Sequence, residues 1–303
     1  MILGADIGGT KIEAVVFDDA LNAIDRRRIA TPATDYDAFL DAVAELVEWG
    51  DGLAGSPARV GIGFPGLVDS GERSLSANIP CATGRPVKAD IAQRLGRTVA
   101  LCNDTHCFAL SEARDGAGRG HSRVFGAILG TGAAGGLVVD GRLERGAHGI
   151  AGEYGHQPLS ASIQQRFNLP VWTCGCGLEG CSEAYVGGPG LLALARQFGL
   201  DAASTHDVVA AWRAADPIGQ RTYQCFLEIL AVSLANMVKL LDPDVIVMGG
   251  GLSLIDEIVV DLPGAIERNL FSGFSAPPVV AALHGDASGV RGAAILAASM
   301  ERV

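Results

Sequence analysis

Three of the chain's seven cysteines, Cys174, Cys176 and Cys181, fall within eight residues, in the run TCGCGLEGCSE. Gly175, Gly177 and Gly180 lie between them, where the backbone must turn sharply to aim three sulfurs at one point. His156 precedes the first thiol by eighteen positions, across a segment that reads as a loop because it contains Pro158 and Pro170. Three thiolates and one imidazole match the ligand set of a closed tetrahedral zinc site. Ordinary core thiols are the alternative, since free cysteine is among the most buried residue types, but core thiols do not cluster with glycines in this way. A metal that gathers this loop also draws Glu153 and Glu183 together. The expectation is a structural Zn2+ that places binding groups.

The rest of the chain can build a large fold around that loop. Its 303 residues are 49% hydrophobic and 19% charged, enough for one large domain or two moderate ones. A net charge of −11 argues against a nucleic-acid surface, which needs a basic face. It also means that a phosphorylated ligand has to be met locally by backbone N–H groups, lysine or a divalent cation. No apolar run reads as a membrane span, and the N-terminus shows no basic region followed by an apolar core and cleavage site. Cys81, Cys102, Cys107 and Cys225 complete no pattern, which suits a reducing compartment. The expectation is a cytoplasmic protein without a membrane or nucleic-acid partner.

Apolar patterning alternates between strand and helix, which predicts α/β layers. Strands are expected at 2–7, 12–18, 23–29, 59–64, 98–102, 123–130, 137–140, 245–248 and 279–283. Helices are expected at 35–49, 89–95, 107–114, 190–198, 207–214, 220–241, 255–269 and 289–300. Two strand–turn–strand units, around GGTK at 8–11 and TGAAGG at 131–136, suggest a duplicated architecture with a cleft between the copies. The glycine-rich break Asp115–Gly120 sets the boundary: a small lobe over 1–117, a large lobe over 118–287, and a last helix, 288–303, returning to the small lobe.

The polar residues concentrate at strand ends. Asp6 is followed by Gly8, Gly9, Thr10 and Lys11, so N–H groups, a hydroxyl and an ammonium can face a polyphosphate while Asp6 can hold its metal ion or a metal-bound water. A plain hairpin turn needs only the glycines. The spacing is not that of a Walker A loop. Gly130, Thr131 and Gly132 repeat the turn in the second half. Gly249, Gly250 and Gly251 follow a strand and fit either a flat base against the backbone or a flexible turn. Asn103-Asp104 ends another strand; its carboxylate can accept a proton from a hydroxyl attacking a phosphate, or the pair can simply cap the next helix.

Taken together, these pieces resemble the ROK family (repressors, open reading frames and kinases) over essentially the whole chain. The most specific part is Glu153-x-x-His156 with Cys174-Gly-Cys176-Gly-x-x-Gly180-Cys181-x-Glu183; DIGGTK is a second anchor, and DYDAFLDAV, SANIPCATGRPVKADI, CFALSEA and HGDASGVRGAA are similar to its amino-sugar kinases. The resemblance implies a two-lobed actin-like (ribonuclease H-like) fold and phosphorylation of N-acetyl-D-glucosamine at its 6-hydroxyl by ATP with Mg2+, in a homodimer. Fructose, glucose and N-acetylmannosamine are the alternative acceptors. It implies Asp104 as general base, Asn78, Asn103, Glu153, His156 and Glu183 on sugar hydroxyls, and Asp6, Gly8–Lys11, Gly130–Gly132 and Gly249–Gly251 around the nucleotide. His156 would give one ring nitrogen to zinc and the other to the sugar. The family's regulators carry a helix-turn-helix ahead of the first strand; here that strand begins at Ile2, and the expectation is a kinase. Ala134 stands where the family has glycine, and Thr105 and His106 follow Asp104 where alanine is usual next.

Overall fold

The computed structural model describes residues 1–69 and 71–300, and of Asp286 the backbone alone. In chain order the elements are β1 (Ile2–Ile7), β2 (Lys11–Phe17), β3 (Ala23–Ala30), α1 (Tyr36–Ala54), β4 (Arg59–Phe64), the short pair β5 (Leu67–Val68) and β6 (Ser74–Leu75), α2 (Val87–Leu95), β7 (Ala100–Asn103) and α3 (Asp104–Arg114). They continue with β8 (Arg123–Leu129), β9 (Ala133–Val139), β10 (Arg142–Glu144), α4 (Ala161–Phe167), α5 (Glu183–Val186), α6 (Gly188–Gln197), α7 (Thr205–Arg213), α8 (Pro217–Leu241), β11 (Val245–Gly249), α9 (Asp256–Glu267), β12 (Val279–Ala281) and α10 (Ser288–Ala298). Residues 301–303 of the expected last helix lie outside the described residues.

Two compact units result. The first comprises Met1–Gly120, Gly136–Ala151 and Leu283–Val303; the second comprises His121–Gly135 and Gly152–Ala282. Segment Gly136–Ala151, expected with the large lobe, therefore belongs to the first unit. The reason is burial: Val138 and Leu143 pack with Ala109 and Leu110 of α3 and with Ile295 of α10.

In the first unit the sheet order is β3-β2-β1-β4-β7, antiparallel through β3, β2 and β1, and parallel from β1 to β4 and β7. Alternation along its strands makes two apolar faces. Leu3, Ile7 and Val16 meet Phe39, Val43 and Leu46 of α1 on one side. Ile2, Val15 and Phe17 meet α3 and α10 on the other. Gly4 and Gly61 let the Ala-rich α10 lie close, because a Cβ on either would run into the carbonyl of Val290 or Ala293.

In the second unit β8 pairs in parallel with β11, and β11 with β12, repeating β1–β4–β7. Helices α6, α7 and α9 pack around α8, whose Phe226, Ile229, Leu230 and Leu234 are buried. Contrary to the reading that no apolar run is long enough, α8 has the length and apolarity to cross a membrane; most of its apolar stretch is spent in this core.

Candidate active site

The first unit carries Asp6, the Gly8–Lys11 turn, Asn78, Asn103 and Asp104. Asp6 is the penultimate residue of β1, beside two glycines that make room for it. A Cβ on Gly289 would lie 2.6 Å from its Oδ2, and one on Gly63 would lie 3.2 Å from its Oδ1. The turn is closed by Gly8 N–H donating to the Lys11 carbonyl at 2.8 Å and pinned by the Thr31 hydroxyl donating to Gly8 O at 2.6 Å. Asn78 sits against it, since a Cβ on Gly9 would lie 2.8 Å from the Asn78 carbonyl.

Helix α3 starts three residues earlier than the periodicity predicts, at Asp104 rather than Cys107, because Asn103 caps it. The Asn103 Oδ1 accepts from Thr105 N–H at 2.8 Å and from the Thr105 hydroxyl at 2.5 Å, while its amide donates to Gly66 O at 3.1 Å. Thr105 thus adds a second donor to the cap. Asp104 is the first helical residue and accepts from Thr105 N–H at 2.9 Å, where the positive end of the helix dipole favours an ionised carboxylate. His106 is buried and its Nε2 pairs with Ala151 O at 2.8 Å; burial lowers its pKa, so the ring is held neutral and donates.

The second unit carries Gly130–Gly132, Glu153, His156, the three thiols, Glu183 and Gly249–Gly251. His156 Nδ1, Cys174, Cys176 and Cys181 lie within 4.8 Å of one another. Nδ1 is 3.6 Å from the Cys174 sulfur, and the Cys176 and Cys181 sulfurs are 3.7 Å apart. Metal–ligand bonds of roughly 2.0–2.3 Å give tetrahedral edges of about 3.6–3.8 Å, so the donor set and spacing fit zinc. Burial pushes the Cys174 thiol up to about 12, a shift that a bound cation would oppose.

Backbone geometry accounts for two of the three glycines there, Gly177 at φ 89° and Gly180 at φ 72°; Gly175 keeps an ordinary φ. The segment expected as loop between His156 and Cys174 contains α4. It is anchored by Trp172 stacked on Tyr185 at 4.6 Å and by the Tyr185 hydroxyl donating to Pro170 O at 2.7 Å.

With Nδ1 turned to the thiols, His156 Nε2 faces Glu153 Oε2 at 3.6 Å and Glu183 Oε1 at 3.9 Å. Burial, and behind it the Glu183 carboxylate, pushes Glu153 up to about 7. Glu183 has a second contact that periodicity and motif reading do not anticipate. Its Oε2 accepts from Ala133 N–H at 2.9 Å, and a Cβ on Gly132 would lie 2.6 Å from it. Gly132 is the sequence signal, because its missing side chain makes room for that carboxylate.

Gly130 N–H donates to Gly132 O at 2.9 Å, and a Cβ on Gly130 would lie 3.7 Å from Gly251 N, so the two glycine turns adjoin. Gly250 has φ 83° and lies close against Leu129, which makes this a constrained turn. Ala134 lies within β9 and has no positive φ, so its Cβ is accommodated.

The ROK family model matches residues 2–300. The N-acetylgalactosamine kinase AgaK of a Shewanella species is 48% identical over 296 residues, covering 98% of this chain and 96% of that protein. An N-acetyl-D-glucosamine kinase of Salmonella newport is 42% identical over 299 residues, covering 98% and 99%. Among solved structures, the ROK hexokinase from Thermus thermophilus superposes with a TM-score of 0.85 at 33% identity, covering 97% of each chain. A ROK family glucokinase from Streptomyces griseus, in complex with glucose and AMPPNP, gives 0.77 at 30% identity, covering 97% of this chain and 98% of that one. The fold is accordingly the two-lobed, actin-like α/β fold of these kinases, and the chain belongs to the ROK family.

Proposed function

We propose that the chain transfers the γ-phosphoryl group of ATP to the 6-hydroxyl of an N-acetylated hexosamine, N-acetyl-D-glucosamine first among them. The observation that carries this reading is the second unit's polar cluster, where His156 turns Nδ1 to three thiols and Nε2 to Glu153 and Glu183. A zinc at the thiols would fix the ring's orientation and tautomer. Nε2 and the two carboxylates then form a set of partners for sugar hydroxyls; Asn78 and Asn103 are further sugar-binding candidates.

Asp104 accepts the proton of the 6-hydroxyl as its oxygen bonds to the γ-phosphorus and the bond to the ADP oxygen breaks. The proton later passes to solvent, leaving the sugar 6-phosphate and ADP. Backbone N–H groups of Gly8–Lys11, Gly130–Gly132 and Gly249–Gly251 and the Lys11 ammonium line the ATP phosphates and nucleoside. Asp6 would hold Mg2+, which would supply neutralisation of phosphate charge.

A second acceptor, N-acetyl-D-galactosamine, is favoured by one observation, the 48% identity to a relative of that name. The two sugars differ in the orientation of one hydroxyl. Measuring kcat/KM for both, and for N-acetylmannosamine, glucose and fructose, tests the reading. An N-acetylated hexosamine is expected to lead glucose and fructose by tenfold or more, about 1.4 kcal/mol of transition-state binding. A tenfold lead for glucose or fructose contradicts it.

A further inference from the structure

Two thiols that the proposed chemistry does not use flank Asp104. Cys102 lies near the end of β7 and Cys107 in the first turns of α3; both are buried, and their sulfurs are 3.0 Å apart. A disulfide requires roughly 2.05 Å, so an approach of about 1 Å closes the bond. Cys102 also lines a cavity of about 180 Å³ in the first unit, together with Gly66, Leu101, Asn103 and His106. A water-sized molecule needs roughly 10–15 Å³ of such space, so a small hydroperoxide fits. Cys107 lies in the packed interior: a Cβ on Gly63 would touch its sulfur at 3.4 Å, and Cys102 and Ala293 of α10 share its buried cluster. Of the two residues, Cys102 is the one that borders the cavity.

We propose that Cys102 and Cys107 are a hydroperoxide-sensitive dithiol, whose disulfide slows phosphoryl transfer by clamping the strand-to-helix junction that carries Asp104. In the first step the Cys102 sulfur attacks one peroxide oxygen. The O–O bond breaks, Cys102 becomes a sulfenic acid, and the other oxygen leaves as an alcohol, or as water from hydrogen peroxide. In the second step the Cys107 sulfur attacks the sulfenic sulfur, giving the disulfide and one water. The thiol pair loses two electrons and the peroxide gains them; a dithiol reductant reverses the process by exchange. The bond draws the end of β7 and the start of α3 together by about 1 Å, and a misplacement of that size at a reacting group can cost about 10² in rate. The effect on rate rests on Asp104 being the base; formation of the disulfide does not.

The zinc-loaded protein is treated with graded hydrogen peroxide, assayed for kinase activity, then alkylated and digested. Trypsin cleavage after Arg97 and Arg114 leaves both cysteines in one peptide, Thr98–Arg114. In the expected result that peptide lacks two hydrogens and resists alkylation, kcat falls at least tenfold in step with it, and dithiothreitol restores both. Cys102→Ala starts with the kcat of the unmodified protein and keeps it at the same dose. The proposal is overturned if Thr98–Arg114 stays reduced at doses that oxidise the exposed Cys176, a measurement that needs no variant. It is equally overturned if the disulfide forms with kcat unchanged, or if Cys102→Ala is inactivated in parallel. Failure of the Asp104 assignment alone shows as an active Asp104→Asn variant and leaves the peptide result untouched.

Discussion

Asp104 and its neighbour Asn103 divide the work at the head of α3. Asn103 caps the helix, so the bland expectation for this pair holds for one of its members. Asp104 is the first helical residue, at the positive end of the helix, and is the base in the proposed reaction. A sugar hydroxyl is a poor nucleophile, and general-base help is worth roughly 10²–10⁴. Asp104→Asn keeps size and hydrogen-bond reach but removes the basic oxygen, so kcat is expected to fall by that factor. Calorimetry should find ATP and sugar affinities nearly unchanged, and a kcat loss under about tenfold would make Asp104 a helix residue and nothing more. Strand-end carboxylates such as Asp6 and Asp104 are legible from the sequence because patterning marks where strands stop. What surrounds them is not. The room that Gly63 and Gly289 leave for Asp6 depends on residues 57 and 283 positions away, brought near only by the fold.

At the scale of elements, the loop that brings His156 to the three thiols is the most legible part, since ligand spacing and glycines constrain it locally. Its scaffold, α4 and the Trp172–Tyr185 stack, carries no comparable local pattern: α4 spans only seven residues, too few for a helical period to show. Cys176→Ser is expected to lose metal and raise the sugar KM about tenfold or more, in line with the usual cost of disturbing a metal site. His156→Gln should lower kcat/KM further at equal metal loss, because Nε2 also faces the carboxylates. Elemental analysis beside kinetics checks both, and a metal-free wild-type protein of full activity would remove the zinc from the account.

Helix α3 also holds a buried carboxylate, Glu112, within the CFALSEA run; the run itself does not tell what the carboxylate binds. Glu112 accepts from the N–H groups of Ala117, Leu283 and His284 and from the Ser288 hydroxyl, tying α3 to the chain break and to α10. Burial raises its pKa, but these four donors outweigh it and hold the group below its ordinary 4.5. The stability it contributes is therefore present above that value and lost as pH falls through the lower folded value. Glu112→Gln puts an amide N–H₂ against donors and should cost about 1–3 kcal/mol at neutral pH. The difference from wild type should shrink in acid. Denaturant midpoints at neutral and acid pH read this, and an unchanged midpoint at neutral pH would contradict it.

For the whole molecule, the duplicated strand–turn–strand pattern was readable because each copy repeats a short local signal, and the parallel pairing β8–β11–β12 repeats β1–β4–β7. The unit boundary was less so. A glycine-rich break marks one crossing of the chain, but Gly136–Ala151 is assigned by the packing of Val138 and Leu143, a long-range effect that composition cannot carry. Product identification reads the proposed phosphoryl transfer directly. Purified protein is incubated with Mg-ATP and N-acetyl-D-glucosamine, and the products are resolved by phosphorus–proton correlation NMR. ADP and sugar 6-phosphate are expected in equal amounts. ADP without sugar phosphate, or phosphate on the anomeric oxygen, would contradict it.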